Sequence, residues 1–262
     1  MRQAMNALTG LDRGVLRKRP RRFILDRRPP AHDLVGRVDL HWSVAWDLPP
    51  GERHVQGVLP FPCFNIAWAL PEGVRVHGPV TERYDRVLQG RGRGHGTRLS
   101  PGTFPGLTGR PAASLTDGEA SLGELFGADG EALARELDAA SFDDHVAAIE
   151  SFLRARPPAP DPAADLAARV VAHMLDQPVG ARVSDVARAF ALSPRSLQRL
   201  FGRYVGLTPK AVLRRSRAHE AVERVEAGAG DGAALALDLG YSDQAHFIND
   251  FRENVGRPPG RY

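Results

Sequence analysis

Apolar and polar residues alternate along the first half of the chain. Every second position from 38 to 46 is apolar, which is the period of a strand with one buried face. The same alternation returns over 64–70, and a Pro-Glu-Gly turn then leads into Val74 and Val76. Short strands joined by Gly and Pro turns favour an antiparallel barrel or sandwich. We also expect short strands at 54–59, 83–88 and 97–99, and a flexible hairpin loop at the glycine-rich segment 90–96.

From about residue 122 the apolar period lengthens to that of a helix. Segment 142–153 carries one apolar stripe, and 132–137 also has helical spacing. Four prolines within 157–162 then interrupt the pattern, as in a stiff extended spacer. The predicted class is therefore α+β, with an antiparallel β-rich N-terminal domain, trailing helices and an all-α C-terminal domain. The predicted organisation is a basic, poorly ordered tail at 1–30, the β-rich domain at 31–156, a linker at 157–162 and the helical domain at 163–262.

The helical part contains an internal repeat. Segment 201–209 has Phe, Gly and Pro at its first, sixth and ninth positions, and all three recur 50 residues later. Segment 185–193 recurs with an offset of 49. Each unit is typical of a short helix, a tight turn and a second helix capped by serine, Ser193 in the first unit and Ser242 in the second. The repeat therefore predicts a tandem helix-turn-helix.

The second helix of each unit is expected to present a polar outer face. In the first unit, Leu197, Phe201 and Tyr204 fall on one face, so the positions between them point outward. Arginine can bond guanine with two hydrogen bonds and glutamine can pair with adenine in the DNA major groove. The predicted DNA-binding residues are Arg195, Ser196, Gln198, Arg199 and Arg203 in the first unit, and Gln244, His246, Asn249 and Arg252 in the second.

Charge along the chain points to the same partner. Residues 186–219 hold eight basic residues and no acidic one. A block of one sign inside a folded segment indicates an acidic partner, with double-stranded DNA as the first candidate, whereas a solvated helix face is the alternative. The second recognition helix carries Asp243 and Asp250, so we expect the first helix to dominate affinity and base readout.

From residue 166 onward the chain resembles the AraC/XylS family of transcription regulators. The resemblance rests on the spacing of the two units, the joining helix at 209–227 and the stretch Leu-Gly-Tyr-Ser-Asp-Gln-Ala-His-Phe-Ile-Asn-Asp-Phe-Arg at 239–252. It implies that 195–203 and 243–252 are recognition helices that enter successive major grooves on one face of the DNA. The resemblance also implies a rigid linker helix between them.

The front part is similar to a domain of unknown function that precedes such helix pairs. The similarity lies in Leu59-Pro60 with Cys63, His77-Gly78-Pro79 and the stretch 99–102. In the family, the upstream domain binds a small effector, a dimer partner or both. The resemblance therefore implies a small-molecule effector or a homodimer, and RNA polymerase is a further candidate partner.

Cys63 carries the alternative function. It is the single cysteine of the chain, and alkyl-acceptor cysteines occur beside helix pairs of this type in DNA repair proteins. Such an acceptor needs a neighbouring histidine to form the thiolate, and Phe64 stands in that place. We therefore predict a packed thiol and no enzyme activity, with a repair or modifying protein as the alternative.

Other candidate chemistry is weak. Four of the nine histidines fall in the β-rich part without the spacing of a metal site, so we predict no metal and no cofactor. Trp42, Trp46 and Trp68 could line a pocket or pack in the core. The chain has 262 residues, of which 42% are hydrophobic, and no run of 18 apolar residues. Because residues 1–10 also lack an apolar signal segment, we expect a cytoplasmic protein that does not contact the membrane.

Overall fold

The fold is taken from a computed structural model. It describes residue 16 and residues 22–69, 72–138, 140–176, 181–228 and 232–262. Within these, eight strands precede most of the helices. The strands are β1 (Ile24–Arg28), β2 (Val38–Asp47), β3 (Arg53–Val58), β4 (Asn65–Ala69), β5 (Gly73–His77), β6 (Tyr84–Gln89), β7 (Arg91–Leu99) and β8 (Glu119–Ala120).

A six-stranded antiparallel sheet forms the centre of the N-terminal domain. Its order is β1-β2-β7-β4-β5-β8, and β3 pairs with β6 in a separate antiparallel ribbon. One face of the sheet packs on the trailing helices, so that Trp68 of β4 and Ile149 share a core. The predicted antiparallel domain is confirmed. The helices of this domain are α1 (Thr103–Thr108), α2 (Leu122–Phe126), α3 (Ala128–Leu137) and α4 (Phe142–Arg154).

The glycine-rich segment is a strand, which corrects the prediction of a flexible loop. Gly96 of β7 pairs with Trp42 of β2, and a Cβ at Gly96 would lie 2.8 Å from the indole of Trp42. Gly92 makes room for Trp46 in the same way. The glycines are therefore spaces for two indoles on one face of the sheet, while Trp68 lies in the core on the other. The three tryptophans do not line one pocket.

The predicted tail also contains a strand. β1 pairs with β2 along its whole length, from Ile24 opposite Ala45 to Arg28 opposite His41. Arg28 forms an ion pair with Asp143 at the start of α4. A short edge strand with basic residues does not show the apolar alternation of a buried one, so its sequence resembles a tail. Apart from residues 16 and 22–30, the predicted tail lies outside the described residues.

The C-terminal part is all-helical and contains the predicted tandem repeat. A joining helix separates the first helix-turn-helix unit from the second. Residues 157–161 lie outside helix and strand, and the next helix begins at Pro162. The first helix is α5 (Pro162–Asp176). The first unit is α6 (Val183–Ala189) and α7 (Pro194–Tyr204), the joining helix is α8 (Pro209–Glu226), and the second unit is α9 (Gly232–Asp238) and α10 (Gln244–Val255).

One short segment of the N-terminal domain packs into both helix-turn-helix units. Leu59 belongs to the core of the second unit, with Phe251. Phe61 and Cys63 belong to the core of the first unit, with Phe201. The two domains therefore share apolar cores, rather than meeting only at a linker.

Three histidines are buried between the sheet and α4. The Nδ1 atom of His41 lies 2.8 Å from the hydroxyl of Thr97, and the Nε2 atom of His145 lies 3.3 Å from the same hydroxyl. His95 stacks on Trp68 with the ring centroids 4.9 Å apart. Burial lowers the pKa of His95 to about 4 and that of His145 to about 3. No group of three or more His, Cys, Asp or Glu side chains suited to a metal ion occurs among the described residues.

His95 makes the stability of the fold sensitive to acid. Its side chain is 2% exposed and stays neutral in the folded state down to a pKa of about 4, whereas in the unfolded chain the pKa is about 6.5. Below pH 6.5 the unfolded chain therefore binds a proton that the folded chain does not, and stability falls as the pH falls from 6.5 to 4. The free energy of unfolding should therefore drop when the pH is lowered from 7.5 to 5. We predict that this drop is about 2 kcal/mol smaller in His95→Phe than in the wild type.

Urea unfolding of both proteins at the two pH values tests this expectation. Phenylalanine keeps a ring against Trp68, so the variant should remain folded at pH 7.5. An equal loss of free energy in the two proteins would contradict the prediction.

Candidate nucleic-acid interface

Helix α7 has one buried face and one exposed face. The Ser193 hydroxyl caps the helix by accepting from the Ser196 amide at 3.1 Å, and Pro194 occupies its first turn. Leu197 and Phe201 are fully buried in the core of the first unit. On the opposite face, four of the five predicted DNA-binding residues are exposed and Ser196 is half-buried. The exposed four are Arg195, Gln198, Arg199 and Arg203.

The exposed arginines of α7 are not equivalent. Within the described part of the chain, no hydrogen bond or ion pair involves Arg195 or Arg199. Arg203 instead donates to the carbonyl of Gly109 in the N-terminal domain at 3.4 Å. The two arginines nearest the helix start are therefore the ones available to an external acidic group.

Helix α10 is capped by a different residue from the one predicted. Asp243, rather than Ser242, accepts from the His246 amide, at 2.8 Å. Tyr241 in the turn of the second unit matches Leu192 of the first with an offset of 49, whereas the starts of the two second helices match with an offset of 50. The second unit therefore has one more residue between its turn and its second helix. The extra residue moves the cap from the serine to the aspartate.

The four predicted residues of α10 are all exposed. Phe247 and Phe251 face the core, and the predicted residues lie on the other side. Arg252 donates to the side-chain oxygen of Asn249 at 3.2 Å, so its guanidinium is partly engaged within the helix. The four are Gln244, His246, Asn249 and Arg252.

Asp250 does not face outward, contrary to the expectation from the sequence. It is 8% exposed and accepts hydrogen bonds from the hydroxyl of Tyr241 and from Nε of Arg214, each at 2.6 Å. The internal repeat contains a signal that predicts the burial of Asp250. Asp250 aligns with Leu200, which packs against the core of the first unit.

Much of the basic block is engaged inside the molecule. The buried guanidinium of Arg215 donates to the carbonyls of Pro60 and Thr81 at 3.3 and 2.9 Å, and burial lowers its pKa to about 10. Arg188 pairs with Asp185 at 2.9 Å. Counting acids within the segment alone therefore overestimates how many of its basic residues are available to an external partner. Among the described residues, the exposed basic residues of this block that make no hydrogen bond or ion pair are Arg195, Arg199 and Lys210.

Cys63 is sealed inside the core of the first unit. It is 5% exposed, and its thiol lies 3.5 Å from the carbonyl of Phe61 as a weak donor. Burial raises the pKa of this thiol to about 12. An alkyl acceptor needs a thiol that is both accessible and deprotonated, and the surroundings of Cys63 disfavour access as well as deprotonation.

No helix among the described residues is long and apolar enough to cross a membrane.

Two family models match separate parts of the chain. Residues 186–262 match a family described as a helix-turn-helix domain, and residues 26–121 match a domain of unknown function. Both resemblances drawn from the sequence are thereby confirmed. The C-terminal part is an AraC-type helix-turn-helix domain, which supports a DNA-binding transcription regulator.

Solved structures with a distant likeness come from Vibrio cholerae. An apo variant of ToxT from strain SCE256 is 11% identical, with a TM-score of 0.41, and the match covers 94% of this chain and 98% of that one. ToxT from strain O395 is 10% identical, with a TM-score of 0.39, and the match covers 92% and 96% of the two chains. No curated protein matches the chain by sequence.

The burial of Cys63 leads to a direct chemical prediction. At pH 8 a thiol with a pKa of about 12 is almost entirely protonated, and its neighbours also block access. We predict that a thiol-specific reagent labels Cys63 in the native protein about a hundredfold or more slowly than in the denatured protein. Rapid stoichiometric labelling of the native protein would contradict this and would favour the alkyl-acceptor alternative.

Proposed function

We propose that this chain regulates transcription by placing α7 and α10 in successive major grooves on one face of a DNA duplex. The observation that carries the proposal is the outer face of α7, where Arg195 and Arg199 flank Gln198 and all three are exposed. Arginine and glutamine suit guanine and adenine edges respectively. The same architecture recurs in α10, which shares a core with the other end of α8. A protein that reads two successive grooves needs two such helices.

The two helices contribute unequally in this proposal. α7 offers two arginines with no partner in the described chain, whereas the single arginine on the exposed face of α10, Arg252, is shared with Asn249. Asp243 caps α10, so its carboxylate already accepts the backbone amide of His246. α7 therefore dominates both affinity and base readout, and α10 adds weaker contacts through Gln244, His246 and Asn249.

The N-terminal domain senses a signal in the proposed function. An open cavity of about 560 Å³ lies between β5 and helices α2 and α3, within the size range of small-molecule sites. Arg75 and Arg135 line it together with Glu124 and Glu131, so a small polar effector fits its chemistry. A second copy of this chain and RNA polymerase complete the set of proposed partners.

The alkyl-acceptor alternative has little to support it. Its candidate nucleophile, Cys63, packs with Phe201 and Val212 rather than lining an open site.

Salt dependence of DNA binding tests the proposal. The full chain is the appropriate protein, because Leu59 and Phe61 contribute to the cores of the helical units. After selection of a preferred duplex from a random pool, the logarithm of the affinity should fall with the logarithm of salt concentration at a slope of about −5 if roughly six phosphates are neutralised. A folded protein with no salt-sensitive binding to any duplex in the pool would overturn the proposed function.

Alanine variants separate base contacts from general charge. Arg199→Ala should weaken binding to the selected duplex by about 1–3 kcal/mol and relax preference at one or two base pairs. Asn249→Ala should cost less. Arg91→Ala removes the same charge from an exposed position of β7 in the N-terminal domain, outside the proposed effector cavity, and should leave affinity nearly unchanged, as the matched control. Equal losses in Arg199→Ala and Asn249→Ala would contradict the unequal roles of the two helices.

A further inference from the structure

A polar network around the buried carboxylate of Asp250 joins α10 to α8. The two carboxylate oxygens of Asp250 are both occupied, one by Nε of Arg214 in α8 and the other by the hydroxyl of Tyr241 in the turn before α10. Arg214 also pairs with Glu253, one turn further along α10. The joining helix α8, the turn of the second unit and α10 therefore all meet at the side chain of Asp250.

The first unit has no such network at the matching place. Its matching residue, Leu200, makes apolar contacts with the core of that unit. An apolar side chain would therefore serve the fold at this position, and removing the Asp250 carboxylate from water has a desolvation cost that an apolar side chain would not incur. The network in the second unit calls for a role other than stability.

That role follows from the directionality of hydrogen bonds. The apolar contacts of α10 with α8, such as Phe251 with Ala221 and Val222, resist separation but allow small rotations and slides. Hydrogen bonds weaken steeply when their angles change, so Asp250 restrains the rotation of α10 on α8. α7 is fastened to the same helix through Phe201 and Val212. The angle between the two recognition helices is therefore set on α8.

We propose that Asp250, held by Arg214 and Tyr241, is a positioning residue that sets the spacing of the two DNA half-sites read by α7 and α10. This inference rests on the proposed function. Moving a half-site by one base pair shifts it by about 3.4 Å and rotates it by roughly 35° about the duplex axis. A rigidly held α10 cannot follow such a shift, whereas an α10 that turns on α8 follows part of it.

The test measures how binding depends on half-site spacing. Duplexes carry both selected half-sites at the preferred spacing, or with one base pair inserted or removed between them, and a further duplex carries the α7 half-site alone. The wild type should lose affinity about tenfold or more on the altered spacings, comparable to losing one base contact. Asp250→Leu, the residue of the first unit, should reduce that loss to about threefold or less while keeping wild-type affinity for the α7 half-site alone.

Two further variants keep the test decisive. Tyr241→Phe removes one hydrogen bond to Asp250 without changing charge, and it should also relax the spacing preference. This variant provides the test if Asp250→Leu fails to fold. Tyr262→Phe removes a tyrosine hydrogen bond of the same kind, the one that Tyr262 donates to Glu226 of α8 outside the Asp250 network, and should keep the wild-type preference as the matched control.

The outcomes separate this inference from the function on which it rests. A wild type that binds no duplex overturns both. A wild type that binds but tolerates every spacing, or folded Asp250→Leu and Tyr241→Phe variants that keep the full spacing preference, overturns the positioning role alone. A parallel loss of affinity on every duplex, including the α7 half-site alone, would assign Asp250 a merely structural role and would overturn it as well.

Discussion

The six residues from Leu59 to Phe64 connect the three apolar cores found among the described residues. Leu59 packs with the second helix-turn-helix unit, Phe61 and Cys63 with the first, and Phe64 with the sheet. Arg215 of α8 closes over this segment, and its buried guanidinium is balanced by backbone carbonyls, including that of Pro60, instead of a carboxylate. Close packing in three places at once leaves the sheet and the two units little freedom to move separately. A movement of the sheet is therefore transmitted directly to α8.

Periodic features of the fold could be predicted from the sequence. The strand alternation around Trp42, the helical stripe of α4 and the 50-residue repeat all depend on which face of an element is buried, and that information is local. Outward-facing residues such as Arg199 follow from the same reasoning, since a helix with two large buried side chains leaves few choices for the rest. The cap of α7 is equally local, because Ser193 and Pro194 are adjacent.

Features that depend on distant partners could not be predicted in this way. From the sequence, Asp250 is an exposed acid, and Arg215 is one more charge of the basic block at 186–219. Only the contacts of Asp250 with Tyr241 and Arg214, and of Arg215 with the carbonyls of Pro60 and Thr81, show that both are buried. β1 is identified as a strand only by its pairing with β2. One additional residue in the second turn was enough to move a cap from Ser242 to Asp243. For Asp250, Arg215 and β1, hydrogen bonds made elsewhere in the chain outweigh the local preference, whereas the shift of the cap follows from the local length of the turn.

The placement of the tryptophans gives the molecule a built-in optical label. All three lie in the N-terminal domain, at positions 42, 46 and 68, and the helical domain has none. Their emission therefore follows the sheet alone, whereas circular dichroism in the far ultraviolet is dominated by the helices. Because Leu59, Phe61 and Cys63 place both domains in common cores, the two signals should change together during unfolding. The cooperativity of the whole chain can thus be read without adding a fluorophore.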